Sequence, residues 1–220
     1  MDVAALKLSF LLASLTTAAL LLLGLPLAWW LATARFRGKV LVEAAVSLPL
    51  VLPPTVLGFY LLVAMGPRSP LGRAWIDAFG RPLAFSFEGL LLASILYALP
   101  FAVQPFTAAI AGVDRRLVEA SHVLGASPLT TFLRVTLPLA APGVLAGTVL
   151  AFAHALGEFG VVLMVGGNIA GQTRTLSIAI FDAVEQLDDA AAGRTSLFLL
   201  GVSFAALVVT YALRRRPVAG

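Results

Sequence analysis

Long apolar segments separated by short charged stretches dominate this chain. Leu8 to Ala34 contains no charged residue, and about 20 apolar residues are enough to cross a bilayer as a helix. Five segments are long enough to cross, at residues 8–34, 44–66, 89–113, 138–165 and 194–213. We predict helices because these runs lack the alternation of barrel strands and because a helix satisfies its own backbone polar groups in lipid. The pattern therefore indicates an all-α, polytopic membrane protein over residues 8–213.

Composition supports a membrane protein and narrows its chemistry. Hydrophobic residues make up 60% of the chain and charged residues 12%, far from a soluble domain. The sequence has no Cys and only two His, which argues against disulfides, thiol catalysis and Cys-based metal sites. We expect no catalytic residue, no metal site and no cofactor on this chain. The net charge of +4 is better explained by membrane orientation than by nucleic-acid binding.

The loops predict the orientation. With the N-terminus outside, the inner segments hold nine of the 15 basic residues and three acids. Basic residues concentrate on the cytoplasmic side of membrane proteins, so we predict N-out and C-in. The terminal arginines would anchor the last span at the inner surface. The nine basic residues are Arg35, Arg37, Lys39, Arg115, Arg116, Arg134, Arg214, Arg215 and Arg216.

Residues 114–137, between the third and fourth segments, form a cytoplasmic element of mixed polarity. Asp114 suits a helix N-cap, and Gly125 suits the left-handed position at a helix end. Ser127 suits a second N-cap, followed by Pro128 at the first helical position. We predict two short helices joined by a tight turn, built to dock on a partner. The alternative is a helical hairpin on the inner leaflet whose arginines touch lipid phosphates.

The same element resembles a motif of bacterial ABC-importer permeases. The chain has Glu119-Ala120-Ser121, three residues, Gly125, nine residues, Val135, one residue and Leu137-Pro138. The family has Ala at the position of Ser121 and Ile at that of Val135. In that family this element is the coupling helix, which docks on the ATP-binding subunit. The resemblance implies docking roles for Glu119, Ala120, Ser121, Gly125, Pro128, Leu137 and Pro138.

Two further stretches are similar to molybdate permeases, which are related to sulfate and tungstate permeases. They are residues 47–60, and Gly157-Glu158-Phe159-Gly160 together with residues 167–176. The resemblance implies the permease subunit of an ATP-driven oxyanion importer in the bacterial cytoplasmic (inner) membrane. It also implies a homodimer, two ATP-binding subunits that carry ATP and Mg, and an external or periplasmic oxyanion-binding protein. Molybdate is the expected substrate, with sulfate or tungstate as alternatives.

No Lys or Arg lies in the interior of the predicted spans, so unless His154 is protonated the pathway would offer an anion only neutral donors. Ser47, Thr55 and Thr148 are candidates for such donors. The alternative for each is a hydroxyl that only packs between helices.

Glu158 is an ionisable residue within a predicted span, and such residues are costly in lipid. We interpret it as a gate or helix-pairing residue within one long helix over 138–165, partnered by His154 at i, i+4 spacing. The alternative is a carboxylate in water near the outer headgroups.

Two other classes of protein fit less well. An ion-coupled carrier predicts several intramembrane charges or an internal repeat. An intramembrane enzyme predicts a catalytic set of side chains, whereas His154 and Glu158 alone cannot form the usual three-ligand zinc site.

Overall fold

A computed structural model describes residues 2–214, and most of these lie in helices. The all-α fold class predicted from hydropathy is confirmed. Arg215 and Arg216 of the predicted inner anchor lie outside the described residues. The helices are α1 (Val3–Thr33), α2 (Lys39–Val51), α3 (Pro54–Met65), α4 (Pro70–Phe79), α5 (Phe87–Ala111), α6 (Arg115–Val123), α7 (Pro128–Gly157), α8 (Gly160–Gly166), α9 (Leu176–Glu185) and α10 (Asp189–Arg214).

Four helices within residues 2–214, namely α1, α5, α7 and α10, are long and apolar enough to cross a membrane. The pair α2–α3 would make a fifth span, but its axis bends by 111° at the break. Pro53 and Pro54 explain the break, since the residue before a proline is disfavoured in helical conformation and Pro54 has no backbone N–H. The segment 44–66 is therefore not one straight helix.

The segment 138–165 is also divided, which corrects the prediction of one long helix containing Glu158. Helix α7 ends at Gly157, and Glu158 has an extended backbone with φ −63° and ψ 134°. Helix α8 then begins at Gly160. In the other direction, α7 starts well before residue 138, at Pro128.

Helices α1 and α7 each contain one π-helical turn, at Leu20–Gly24 and Phe132–Thr136. Each turn ends two residues before a proline, Pro26 or Pro138. A proline leaves the carbonyl four residues earlier without its donor, and a wider turn absorbs the mismatch. In α7 the backbone N–H of Leu137 donates to the carbonyl of Phe132. The two helices therefore continue past their prolines.

Helix α5 lies in the centre and packs on α1 and α7 through a core that includes Ala98, Ala102 and Phe106. Gly143 and Gly147 of α7 face it at close range. A Cβ on Gly143 would come within 2.5 Å of Ala109, and one on Gly147 within 2.9 Å of Phe106. Small residues spaced by four let membrane helices approach closely, so this glycine pair sets the α5–α7 contact.

Candidate docking element and translocation site

The docking element consists of α6, the turn at residues 124–127 and the first turns of α7. The Asp114 carboxylate accepts a hydrogen bond from the N–H of Arg116 at 2.9 Å, and the Ser127 hydroxyl accepts one from the N–H of Thr130 at 3.2 Å. Gly125 has φ +83°, in the left-handed region that glycine tolerates best. The predicted caps and turn are confirmed, and both ends of α6 are fixed.

One face of α6 is exposed and apolar. Leu117, Ala120 and Leu124 follow i, i+3, i+7 spacing and share this face, and Leu124 is 87% exposed. Glu119 lies on the neighbouring side of α6, one turn after Arg115, whose Nε donates a hydrogen bond to its carboxylate at 2.8 Å. An exposed apolar ridge is a surface suited to binding another protein.

A pair of hydroxyl groups connects α6 to α7. Ser121 Oγ lies 3.0 Å from Thr131 Oγ1, and Thr131 is buried. The ring of Phe132 stacks on Trp29 of α1, with centroids 4.5 Å apart. Leu137 and Pro138 lie just after the π turn, inside the continuous helix α7. A displacement of α6 would therefore be passed directly to α7 and α1.

The two broken segments meet each other. Helix α3, which follows the first break, packs against α8, which follows the second. A Cβ on Gly160 would lie 2.7 Å from Pro54 Cβ, and a Cβ on Gly58 would lie 2.8 Å from Met164 Cβ. The contact depends on glycine on both helices, since a side chain at either position would push the helices apart.

A cavity of about 530 Å³ opens at this junction. Its polar side chains are Thr55 of α3, Tyr97 of α5, His154 of α7 and Glu158 of the link. The structure thus brings together three sequence candidates, Thr55, His154 and Glu158. Hydropathy gave no reason to select Tyr97, because this phenol lies in a continuous apolar helix.

Glu158 is only 5% exposed, so the alternative of a carboxylate in water is wrong. Its Oε1 accepts the N–H of Val161 at 2.9 Å, which satisfies a backbone donor at the start of α8. Its Oε2 lies 3.9 Å from His154 Nε2, beyond hydrogen-bond distance. The carboxylate therefore makes its hydrogen bond to the backbone at the helix break, and its contact with His154 is the weaker of the two.

His154 is held by aromatic rings. Its imidazole stacks on Phe101, with ring centroids 3.6 Å apart and ring planes at 17° to each other. The centroid of the Tyr97 ring lies 5.0 Å from that of His154. Such stacking fixes the ring orientation in the cavity wall. Like Tyr97, Phe101 lies in the continuous apolar helix α5, so hydropathy gave no reason to select it.

The remaining pathway candidates lie apart from this cavity. Ser47 Oγ accepts a hydrogen bond from Gln104 Nε2 at 3.0 Å, which joins α2 to α5. Thr148 Oγ1 donates to the carbonyl of Val144 in its own helix at 2.8 Å. Both hydroxyls have the helix-packing partners that the alternative interpretation predicts.

Solved structures share this fold. A solved bacterial ABC transporter involved in import of the polysaccharide alginate aligns with a TM-score of 0.75 at 18% identity, over 99% of this chain and 80% of that one. The MetNI methionine ABC transporter aligns with a TM-score of 0.72 at 17% identity, over 97% and 96%. The chain has the fold of the aligned chains of these two ABC transporters.

Sequence comparison gives the family. Residues 24–216 match the model of the binding-protein-dependent transport system inner membrane component, and the chain belongs to this family. The molybdenum transport system permease ModB of Azotobacter vinelandii is 49% identical over 97% of this chain and 95% of its own length. ModB of Escherichia coli K12 is 39% identical over 87% and 84%. The resemblance to molybdate permeases is confirmed.

Proposed function

We propose that this chain is the translocating subunit of an ATP-driven molybdate importer. The observation that carries the proposal is the docking element, whose α6 is fixed at both ends and presents an exposed apolar ridge in a chain of the permease family. Similarity to molybdenum permeases over nearly the full length supports molybdate as the substrate. Sulfate and tungstate are the test anions for selectivity.

The proposed assembly is a homodimer of this chain with two ATP-binding subunits and an external oxyanion-binding protein, in the bacterial inner membrane. The chain lies N-out and C-in, so that α6 faces the cytoplasm. ATP and Mg bind to the partner subunits, and this chain carries no cofactor and no catalytic residue. Glu119, Ala120, Ser121, Gly125, Pro128, Leu137 and Pro138 form or support the docking surface.

Transport would couple the two sites described above. Closure of the ATP-binding subunits moves α6, and the continuous helix α7 carries this movement to the break at Glu158. A rigid element can pass such a displacement without losing it in loop motion. The cavity at the break offers the neutral donors Thr55 and Tyr97, and no Lys or Arg of residues 2–214 lines it. Glu158 in its ionised form would repel an anion, so an anion would pass without being trapped. Tight capture then belongs to the binding protein.

Co-purification tests the assembly. We would extract the tagged full-length chain from its own cell in mild detergent and identify the bound proteins by mass spectrometry. The expected result is an ATP-binding subunit together with an oxyanion-binding protein. A stable dimer without any ATPase, or uptake driven by an ion gradient without ATP, would overturn the proposal.

Reconstituted uptake tests the docking surface and the substrate. The complex in proteoliposomes should import molybdate on ATP addition, with tungstate and sulfate measured in parallel. Glu119→Lys should uncouple uptake while the chain still inserts. Asp77→Lys, which reverses an exposed acid on α4, is the matched control and should transport normally.

A further inference from the structure

A second cavity, of about 520 Å³, lies between the end of α1, the start of α2 and the inward face of α6. Four of its lining residues are basic or imidazole side chains: Arg35, Lys39, Arg115 and His122. Trp29 and Phe132 form part of its apolar wall. We call this cavity the basic pocket.

Among the described residues, 2–214, the lining of the basic pocket carries basic side chains and no acidic one. Lys39 forms an ion pair with Glu43 at 3.6 Å, and Arg115 forms one with Glu119 at 2.8 Å. Neither carboxylate lines the basic pocket. Across residues 2–214, Arg35 has no carboxylate oxygen within 4.0 Å. Guanidinium and ammonium groups that line one cavity are groups that can bind a phosphate there.

The position of the basic pocket favours a lipid over a free ion. Arg35 lies in the loop that follows the end of the apolar helix α1 at Thr33, and Lys39 is the first residue of α2. Tryptophans such as Trp29 are typical of the membrane interface. A phospholipid places its phosphate at this depth and its acyl chains beside apolar walls, whereas an inorganic anion gains nothing from Trp29 and Phe132.

The basic pocket does not overlap the docking ridge. Arg115, Val118 and His122 line it from one face of α6, and Leu117, Ala120 and Leu124 lie on the opposite face, since side chains three, four and seven apart align on a helix. A lipid behind α6 and a protein in front of it can therefore bind at the same time.

We propose that the basic pocket binds the phosphate group of an anionic phospholipid of the inner leaflet, with Arg35 and Lys39 as its main ligands. Basic pockets between helices on the cytoplasmic side are suited to anionic headgroups. The bound lipid would support the rear of α6 against the membrane. The lipid proposal rests on the proposed function in one respect: the N-out, C-in orientation places the basic pocket at the inner leaflet.

Native mass spectrometry of the purified full-length chain, without partners, tests this. The chain is titrated with phosphatidylglycerol and with phosphatidylcholine of the same acyl chains. We expect phosphatidylglycerol to bind about tenfold more tightly, and Arg35→Ala/Lys39→Ala to remove that preference, since each basic residue near a membrane surface contributes on this order. The charge-preserving Arg35→Lys/Lys39→Arg variant should retain most of it.

The matched control is Arg37→Ala/Arg116→Ala, which removes two basic side chains outside the basic pocket. It should keep the preference. An equal loss in both double variants would reduce the effect to general surface charge and overturn the site. Wild-type chain with no preference for phosphatidylglycerol would overturn it without any variant, so a misfolded variant does not decide the test.

A final experiment distinguishes a lipid phosphate from a free oxyanion as the ligand of the basic pocket. Millimolar inorganic phosphate or molybdate is added to the lipid-bound chain and should not displace phosphatidylglycerol. Displacement would assign the basic pocket to free oxyanions and overturn the lipid proposal. Because the ATP-binding subunit and transport are absent from these measurements, their failure is distinguishable from failure of the proposed function.

Discussion

Gly160 lies so close to Pro54 that a Cβ on Gly160 would come within 2.7 Å of the proline Cβ. This contact joins the two helix breaks, since Pro54 begins α3 and Gly160 begins α8. The cavity with Thr55, His154 and Glu158 exists because these two helices approach each other here.

Gly160→Ala should separate α8 from α3. Overpacking of a tight contact costs about 1–3 kcal/mol, so we expect a lower melting temperature in detergent and reduced molybdate uptake. Gly157→Ala is the matched control, because a Cβ on Gly157 meets nothing within 4 Å. Equal melting temperatures for the two variants would contradict the contact.

Glu158→Ala should destabilise the start of α8, because the N–H of Val161 loses its acceptor. Loss of a capping acceptor costs about 1 kcal/mol. Glu158→Gln keeps an oxygen acceptor and should retain both thermal stability and uptake. A stable but inactive Glu158→Gln variant would instead indicate that the charge itself gates the pathway.

Gly125→Val should strain the docking turn, since φ is +83° there and left-handed backbone costs a side-chain residue about 1–2 kcal/mol. We expect weaker co-purification of the ATP-binding subunit and lower uptake. Gly80→Val is the matched control, with φ +70° and no atom within 4 Å of an added Cβ. It should lose similar stability and keep coupling; loss of coupling in both would remove the docking role.

Ser121 and Thr131 should show coupled stability effects, because their hydroxyls lie 3.0 Å apart. Ser121→Ala, Thr131→Val and the double variant form a cycle, and we expect an interaction energy of about 0.5–1.5 kcal/mol. Ser121→Ala should retain transport, since the permease motif has Ala at this position. An interaction energy near zero by thermal or denaturant unfolding would show that the contact contributes nothing.

The local features of the docking element could be predicted from sequence because each depends on a few neighbouring residues. The Asp114 carboxylate reaches a backbone N–H two residues away, and the Ser127 hydroxyl reaches one three residues away. Gly125 needs only its own backbone angles. The same holds for the break at Pro53-Pro54, although its 111° bend was not predictable.

The break at Glu158 was missed because hydropathy continues across it to Val165. The flanking glycines Gly157 and Gly160 were the available signal, but glycine also occurs inside continuous helices of this chain, such as Gly143 and Gly147. The break becomes intelligible only with Pro54 beside Gly160, and that neighbour is about a hundred residues away in the chain.

The sequence by itself determined the helical class, the apolar segments, the capped docking element and the family, because hydropathy, caps and motif spacing are properties of neighbouring residues. The tertiary structure decided which breaks meet, that Glu158 is buried and caps α8, that Tyr97 and Phe101 hold His154, and that Arg35 and Lys39 share a pocket with α6. These depend on which faces of uniformly apolar helices pack together. In lipid that choice is made by shape and by scattered polar groups, and hydrophobicity does not distinguish a buried face from a lipid-facing one.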